Sequence, residues 1–139
     1  MLNASALAMA ACGGGSGPGS ADPPSDLPVT RSVEEVRRFM DKHGAIVVKP
    51  IHGNGGKAIF RIGENGENLT ALFEVFNQTW PEPHMVQPFL PEVAKGDKRI
   101  VLIDGVVAGA INRVPGEGEF RSNLAMGGSA QPTDLTPRE

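Results

Sequence analysis

Apolar and polar residues alternate with two periods between Arg31 and Asn112, one helical and one of extended strands. Ser32 is placed to cap a helix, and Glu35, three residues later, completes a reciprocal capping box. Val33, Val36, Phe39 and Met40 then recur at helical spacing, Glu34 and Arg38 pair one turn apart, and Gly44 stops the helix. Ala45-Ile46-Val47-Val48 is a short apolar run suited to a strand buried on both faces, closed by Lys49-Pro50. After a loop, Ala58 to Ile62 reads as a second strand, with Ile59 on one face and Phe60 and Ile62 on the other. Gly63 to Gly66 make a turn, and Asn68 caps a helix whose Leu69, Leu72, Phe73 and Phe76 form one apolar stripe. That stripe, together with Trp80, reads as core packing. Pro81 and Pro83 end the helix. His84 to Gln87 is a strand leading into the irregular connector Pro88-Phe89-Leu90-Pro91. Lys98 to Ile103 and Val106 to Asn112 form two strands around Asp104-Gly105, the pair favoured in a type I′ hairpin. The tail after Arg113 is Gly-rich and polar, without periodicity.

Residues 1–27 lack this patterning. They hold no Lys, Arg or His, run through the glycine- and serine-rich stretch from Gly13 to Ser20, and end near Pro23-Pro24. So little apolar mass cannot offset the entropy of ordering, and the segment reads as a disordered, low-complexity leader. Its start lacks the basic residues of an export signal. Residues 28–139 are left for the fold. Across the 139 residues the hydrophobic share is 40% and the charged share 21%, as in ordinary globular domains. No run nears the roughly 20 apolar residues of a spanning helix, so no membrane partner is expected. A net charge of −3 gives no basic surplus for nucleic acid. The single cysteine, Cys12, excludes an internal disulfide framework and a multi-cysteine zinc site.

Three groups of residues could carry chemistry. Lys49, at the end of an apolar strand, precedes the loop His52-Gly53-Asn54-Gly55-Gly56-Lys57. A point charge beside glycines that let backbone N–H groups approach suits phosphate oxygens. The order differs from a Walker loop, and a plain turn is the competing reading. Val86 to Leu90 could read adenine with an extended backbone. Pro88 has no N–H, so a backbone donor must come from Phe89 or Leu90. The competing reading is an edge strand ending at prolines. Asp97, Lys98 and Arg99 form a charged cluster, and Arg113, Arg121 and Asn123 flank a glycine-rich loop. Arginines there could hold carboxylate or phosphate bidentately, or could line a solvated surface. His43, His52 and His84 are scattered and read as surface or cap residues.

The ordered set of these pieces resembles the bacterial glutathione synthetase family. It comprises Pro28-Val29-Thr30-Arg31, Ile46-Val47-Val48-Lys49-Pro50, His52 to Gly56, Gln87-Pro88-Phe89-Leu90-Pro91, Gly96-Asp97-Lys98-Arg99, Arg113-Val114-Pro115, Phe120 to Ala125 and Gly127-Gly128. The resemblance covers residues 28–136 and implies an α/β fold of the α+β ATP-grasp type. Mixed sheets with flanking helices in two lobes are expected, the second incomplete, so that an open sheet edge and apolar surface favour self-association.

It also implies ATP-dependent ligation of γ-glutamylcysteine and glycine to glutathione through an acyl phosphate. In that scheme Lys49, Gly53, Gly55 and Gly56 hold the ATP phosphates, Gln87, Pro88, Phe89 and Leu90 cradle adenine, and Asp97 lies near the ribose. Arg113 and Arg121 are catalytic, and Arg99, Arg121 and Asn123 bind substrate. Magnesium is implied as well, with its ligands expected beyond the C-terminus. A cytoplasmic, homo-oligomeric parent enzyme completes the implication. His52 departs from the family's usual Asp, and Ser129 from a common Arg. The alternative is a non-catalytic or truncated nucleotide-binding fragment lacking the metal-binding segment.

Overall fold

A computed structural model describes residues 27–53 and 55–136, so the leader expected over 1–27 lies outside the described residues except for Leu27. The described chain divides into two compact units, residues 27–90 and 91–136.

The first unit is a four-stranded sheet with two helices. Its elements are β1 (Val29–Thr30), α1 (Val33–His43), β2 (Ile46–Pro50), β3 (Phe60–Ile62), α2 (Leu69–Thr79) and β4 (His84–Pro88), and the strand order is β1-β4-β2-β3. Helices and sheet combine as expected, and within the sheet every pairing is antiparallel. Register places Ile46 opposite Ile62 and Pro88, Val48 opposite Phe60 and Val86, and Pro50 opposite His84. One face of the sheet therefore carries Ile46, Val48, Ile62 and Val86, which bury against Val36, Phe39 and Met40 of α1 and Leu69, Phe73 and Phe76 of α2. Leu27, Leu72 and Trp80 pack at the margin of this core. β2 is not buried on both faces as its apolar run suggested. Val47 is only half-buried, because no helix covers the opposite face of this strand among the described residues.

The helix ends differ from expectation in detail. The Ser32 hydroxyl accepts from the Glu35 N–H at 3.4 Å, as a cap should. The reciprocal bond is missing, because the Ser32 N–H donates instead to Thr30 Oγ1 at 3.0 Å. Glu34 is drawn to Ser32 as well as to the charges of Arg37 and Arg38. Its carboxylate accepts from the Ser32 hydroxyl at 2.9 Å. Asn68 adopts a left-handed conformation (φ 61°) and its side chain makes no capping bond; its carbonyl accepts from the Leu72 N–H, while the Gly63–Gly66 turn is closed by the Gly66 N–H on the Gly63 carbonyl.

His84 is a core residue, not a surface one. It sits at 0% exposure against the rings of Phe73 and Phe76, and its Nε2 hydrogen bonds Asn77 Oδ1 at 3.1 Å. Asn77 in turn donates to the Arg31 carbonyl, while the Arg31 guanidinium donates to the carbonyls of Asn77 and Pro81. This network ties the chain near β1 to the end of α2 and the start of β4. Burial pushes the His84 imidazole below its ordinary pKa, with Arg31 adding to the effect.

The second unit begins with a 3-10 turn, Pro91–Lys95, and continues through β5 (Asp97–Ile103), β6 (Val106–Val114) and β7 (Ser129–Pro132) in one antiparallel sheet. Asp104 (φ 50°) and Gly105 (φ 80°) both have positive φ, as a type I′ hairpin demands. Val101 faces Gly109 and Leu102 faces Val107, leaving Ala108 as a bulge. β7 is absent from the pattern read after Arg113. Its Ser-Ala-Gln-Pro residues are all exposed, so no core face imposes alternation on them. The hairpin tip carries an apolar surface, with Val101, Leu102, Ile103, Val106 and Val107 between 45% and 69% exposed.

Candidate functional site

In the first unit the residues of interest gather on the face opposite the helices. Val47 lies between Arg61 and Gln87, and Lys49 is opposite Met85, so Val47, Lys49, Arg61, Gln87 and Met85 share that face. Lys49 is half-buried, and its ammonium makes no hydrogen bond or ion pair among the described residues. Burial lowers its ammonium pKa from the ordinary value. An unpaired, partly desolvated cation on an open sheet face is suited to an anionic ligand.

The loop after β2 supplies the second half. Gly55 (φ 66°) and Gly56 (φ 78°) are consecutive left-handed positions, a conformation that costs any residue with a Cβ. Gly56 is buried, whereas Gly53 is exposed and has open space where a Cβ would stand. Asn54 lies outside the described residues. Beside this loop Pro50, His52, Gly53, Lys57, Ala58 and Trp80 line a shallow cavity of about 220 Å³. A larger groove of about 280 Å³, lined by Pro28 and residues of α1, carries none of the candidate residues.

Two donors were open at the end of β4. The Phe89 N–H donates to the Ala45 carbonyl at 2.8 Å and is spent on the sheet. Leu90, half-exposed, makes no backbone hydrogen bond among the described residues, so its N–H is the one left to face a ligand. Pro88 stands opposite Ile46, in register with the core face, while Gln87 is on the face of Lys49. The sequence reading overlooked Arg61, whose guanidinium lies 4.1 Å over the Phe89 ring. The alternation in β3 was the available signal, since it sets Arg61 opposite in facing to Phe60 and Ile62.

In the second unit register brings Asp97, Arg99 and Arg113 onto one face, because Asp97 opposes Arg113 and Arg99 opposes Ile111. The Asp97 carboxylate receives both Nε, at 2.6 Å, and Nη2 of Arg113 in a bidentate pair. Arg99 is half-buried and its Nε has no hydrogen-bond partner. Arg121 lies on the following loop, held bidentately by Glu119 at 2.8 and 2.9 Å. This ion pair lowers the Glu119 pKa and raises that of Arg121. Asn123 heads the 3-10 turn Leu124–Met126, with its carbonyl accepting from the N–H groups of Met126 and Gly128. Ser122 is buried in the same loop with its hydroxyl unpartnered. The described residues hold no group of three or more His, Cys, Asp or Glu side chains placed to bind a metal, so no magnesium ligand is assigned among them. No described helix is long and apolar enough to cross a membrane.

Comparison with known proteins bears on these arrangements. The family described as prokaryotic glutathione synthetase, ATP-grasp domain, matches residues 23–139. The glutathione synthetase of Bradyrhizobium diazoefficiens is 51% identical over 111 residues, 80% of this chain and 35% of that protein. That of Mesorhizobium japonicum is 50% identical over 119 residues, 86% of this chain and 38% of the relative. The Synechocystis enzyme is 47% identical over 104 residues, 75% and 32% of the two chains. The chain thus spans about a third of the length of the curated relatives it matches. Among solved structures, D-cycloserine synthetase DcsG superposes with a TM-score of 0.58 at 22% identity, covering 81% of this chain and 41% of that one. The ATP-grasp ligase PsnB, solved with a precursor variant, Mg and ADP, gives 0.53 at 20% identity, covering 84% and 32%. These two likenesses speak for the fold. The family match, spanning both described units and every candidate residue above, places this chain in the prokaryotic glutathione synthetase ATP-grasp domain family.

Proposed function

We propose that this chain binds ATP and serves the ATP-dependent joining of γ-glutamylcysteine to glycine. The observation that carries the reading is the unpaired, half-buried Lys49 on the open face of β2, the strand that leads into the left-handed Gly55-Gly56 pair six residues on. Its ammonium meets phosphate oxygens, and the glycine backbone closes on them without steric cost. Leu90 N–H donates to N1 of adenine, while Gln87 shares the face of Lys49. Guanine carries a proton at N1 and would set donor against donor, so the hinge selects adenine over guanine.

The ligation consists of two transfers. The peptide carboxylate takes the γ-phosphoryl group, giving ADP and an acyl phosphate, and the glycine amine then displaces phosphate to form the amide. Arg113 and Arg121 stabilise the charge that develops on the transferring group. The Asp97 carboxylate holds the Arg113 fork by two of its donors and leaves the remaining N–H groups for phosphate. Arg99 and Asn123 bind the peptide, and the 115–128 loop shields the acyl phosphate from water. A cytoplasmic setting and a homo-oligomeric parent enzyme belong to the same reading.

Calorimetric titration of the chain with ATP, GTP and tripolyphosphate tests it. Saturable binding in the order ATP above GTP is expected. An absence of saturable ATP binding overturns the reading.

A further inference from the structure

The cation over Phe89 belongs to none of the roles above. Arg61 is on β3, the strand that the glycine loop runs into, and Phe89 follows β4 at the base hinge. Val47 of β2 separates them, pairing with Arg61 on one side and Gln87 on the other. The Arg61 guanidinium spans this gap and lies 4.1 Å above the Phe89 ring centroid, well within the range of a cation–π contact. Backbone and ring of one residue are therefore both engaged. The Phe89 N–H is bonded to Ala45, which fixes the backbone, and the Arg61 contact engages the ring. Leu90, the next residue, has the N–H left for a ligand.

We infer that Arg61 is a positioning residue that clamps Phe89 so that the Leu90 N–H is held toward the nucleobase. The inference rests on the ATP-binding reading and extends it. Arg61 acts on the base end of the site alone. Its planar group stacks on the ring, a geometry that lysine cannot reproduce with a compact ammonium. Because Arg61 is exposed, its replacement leaves the buried core untouched.

The test compares the chain with Arg61→Met, Arg61→Lys and Phe89→Leu. Without any nucleotide, proton NMR should show the Arg61 side-chain resonances shifted upfield by the ring and restored to ordinary positions in Phe89→Leu. With ligand, Arg61→Met should weaken ATP binding by about two- to five-fold, the value expected of an exposed cation–π contact. Arg61→Lys should show more than half of that loss, and tripolyphosphate affinity should be unchanged in both. Equal weakening toward ATP and tripolyphosphate would make Arg61 a simple phosphate-binding charge and overturn the clamp. So would unchanged ATP affinity, or Arg61 resonances indifferent to Phe89. If the clamp fails in these ways while the unaltered chain still binds ATP, the ATP-binding reading stands. If the unaltered chain binds neither ligand, both fall.

Discussion

Replacing Asp97 by asparagine removes a charge while keeping the side chain's size. Asp97 and Arg113 are directly cross-strand, bidentate, and 12% and 13% exposed at their side chains. After Asp97→Asn the guanidinium stays where it is, largely out of water, with a neutral amide for a partner. Exposed ion pairs contribute about 0–1 kcal/mol, and breaking a fully buried one costs about 3–5 kcal/mol. The small residual exposure places this pair between those limits, at a loss of about 2–3 kcal/mol. The damage should be confined to the second unit. Hydrogen exchange would then quicken at the β5, β6 and β7 amides while those of β2 and β4 keep their protection.

Chemical denaturation of the single variants Asp97→Asn and Arg113→Met and of the double variant gives the coupling. The double variant should be more stable than the sum of the single losses predicts, since it leaves no orphaned charge. Strictly additive losses, or a cost for Asp97→Asn below about 1 kcal/mol, would refute the reasoning.

Other consequences follow from single features. His84 is held neutral in the core, its pKa below the ordinary 6.5. The unfolded chain therefore takes up the proton first, and stability should fall as pH drops below about 6.5, a slope that His84→Leu should flatten in urea titrations. Glu119, whose pKa lies below 4.5, adds its loss only in more acidic solution. Gly96→Ala should destabilise the second unit by about 1–3 kcal/mol in thermal unfolding, because φ is +110° and the new methyl meets the Asn112 side-chain amide. The exposed aliphatic tip of the β5–β6 hairpin should drive concentration-dependent self-association, and Leu102→Lys with Val106→Lys should reduce it in sedimentation runs.

The elements with strong periodicity were legible without coordinates. α1, α2 and the β5–β6 hairpin follow from apolar spacing and from Asp104-Gly105, whose local chemistry admits few alternatives. β7 escaped because a short polar strand paired on one side alone carries no pattern. His84 escaped because a histidine's burial depends on which helix lands on it, here α2 with Phe73 and Phe76. The site was legible as residue types and only partly as geometry. Lys49 and the glycines could be named from sequence, but the choice of Leu90 over Phe89 needed the bond to Ala45, a partner 44 residues away. The Asp97–Arg113 pair and the Arg61–Phe89 contact likewise depend on strand register, which single-strand patterns do not encode.

The measurement that bears most directly on the account is the ATP affinity of Lys49→Met, an unbranched, uncharged replacement of similar length. Loss of one charge-assisted phosphate contact, worth about 1.5–3 kcal/mol, corresponds to roughly ten- to a hundred-fold weaker binding with the fold intact by circular dichroism. An affinity for ATP equal to that of the unaltered chain would contradict the account.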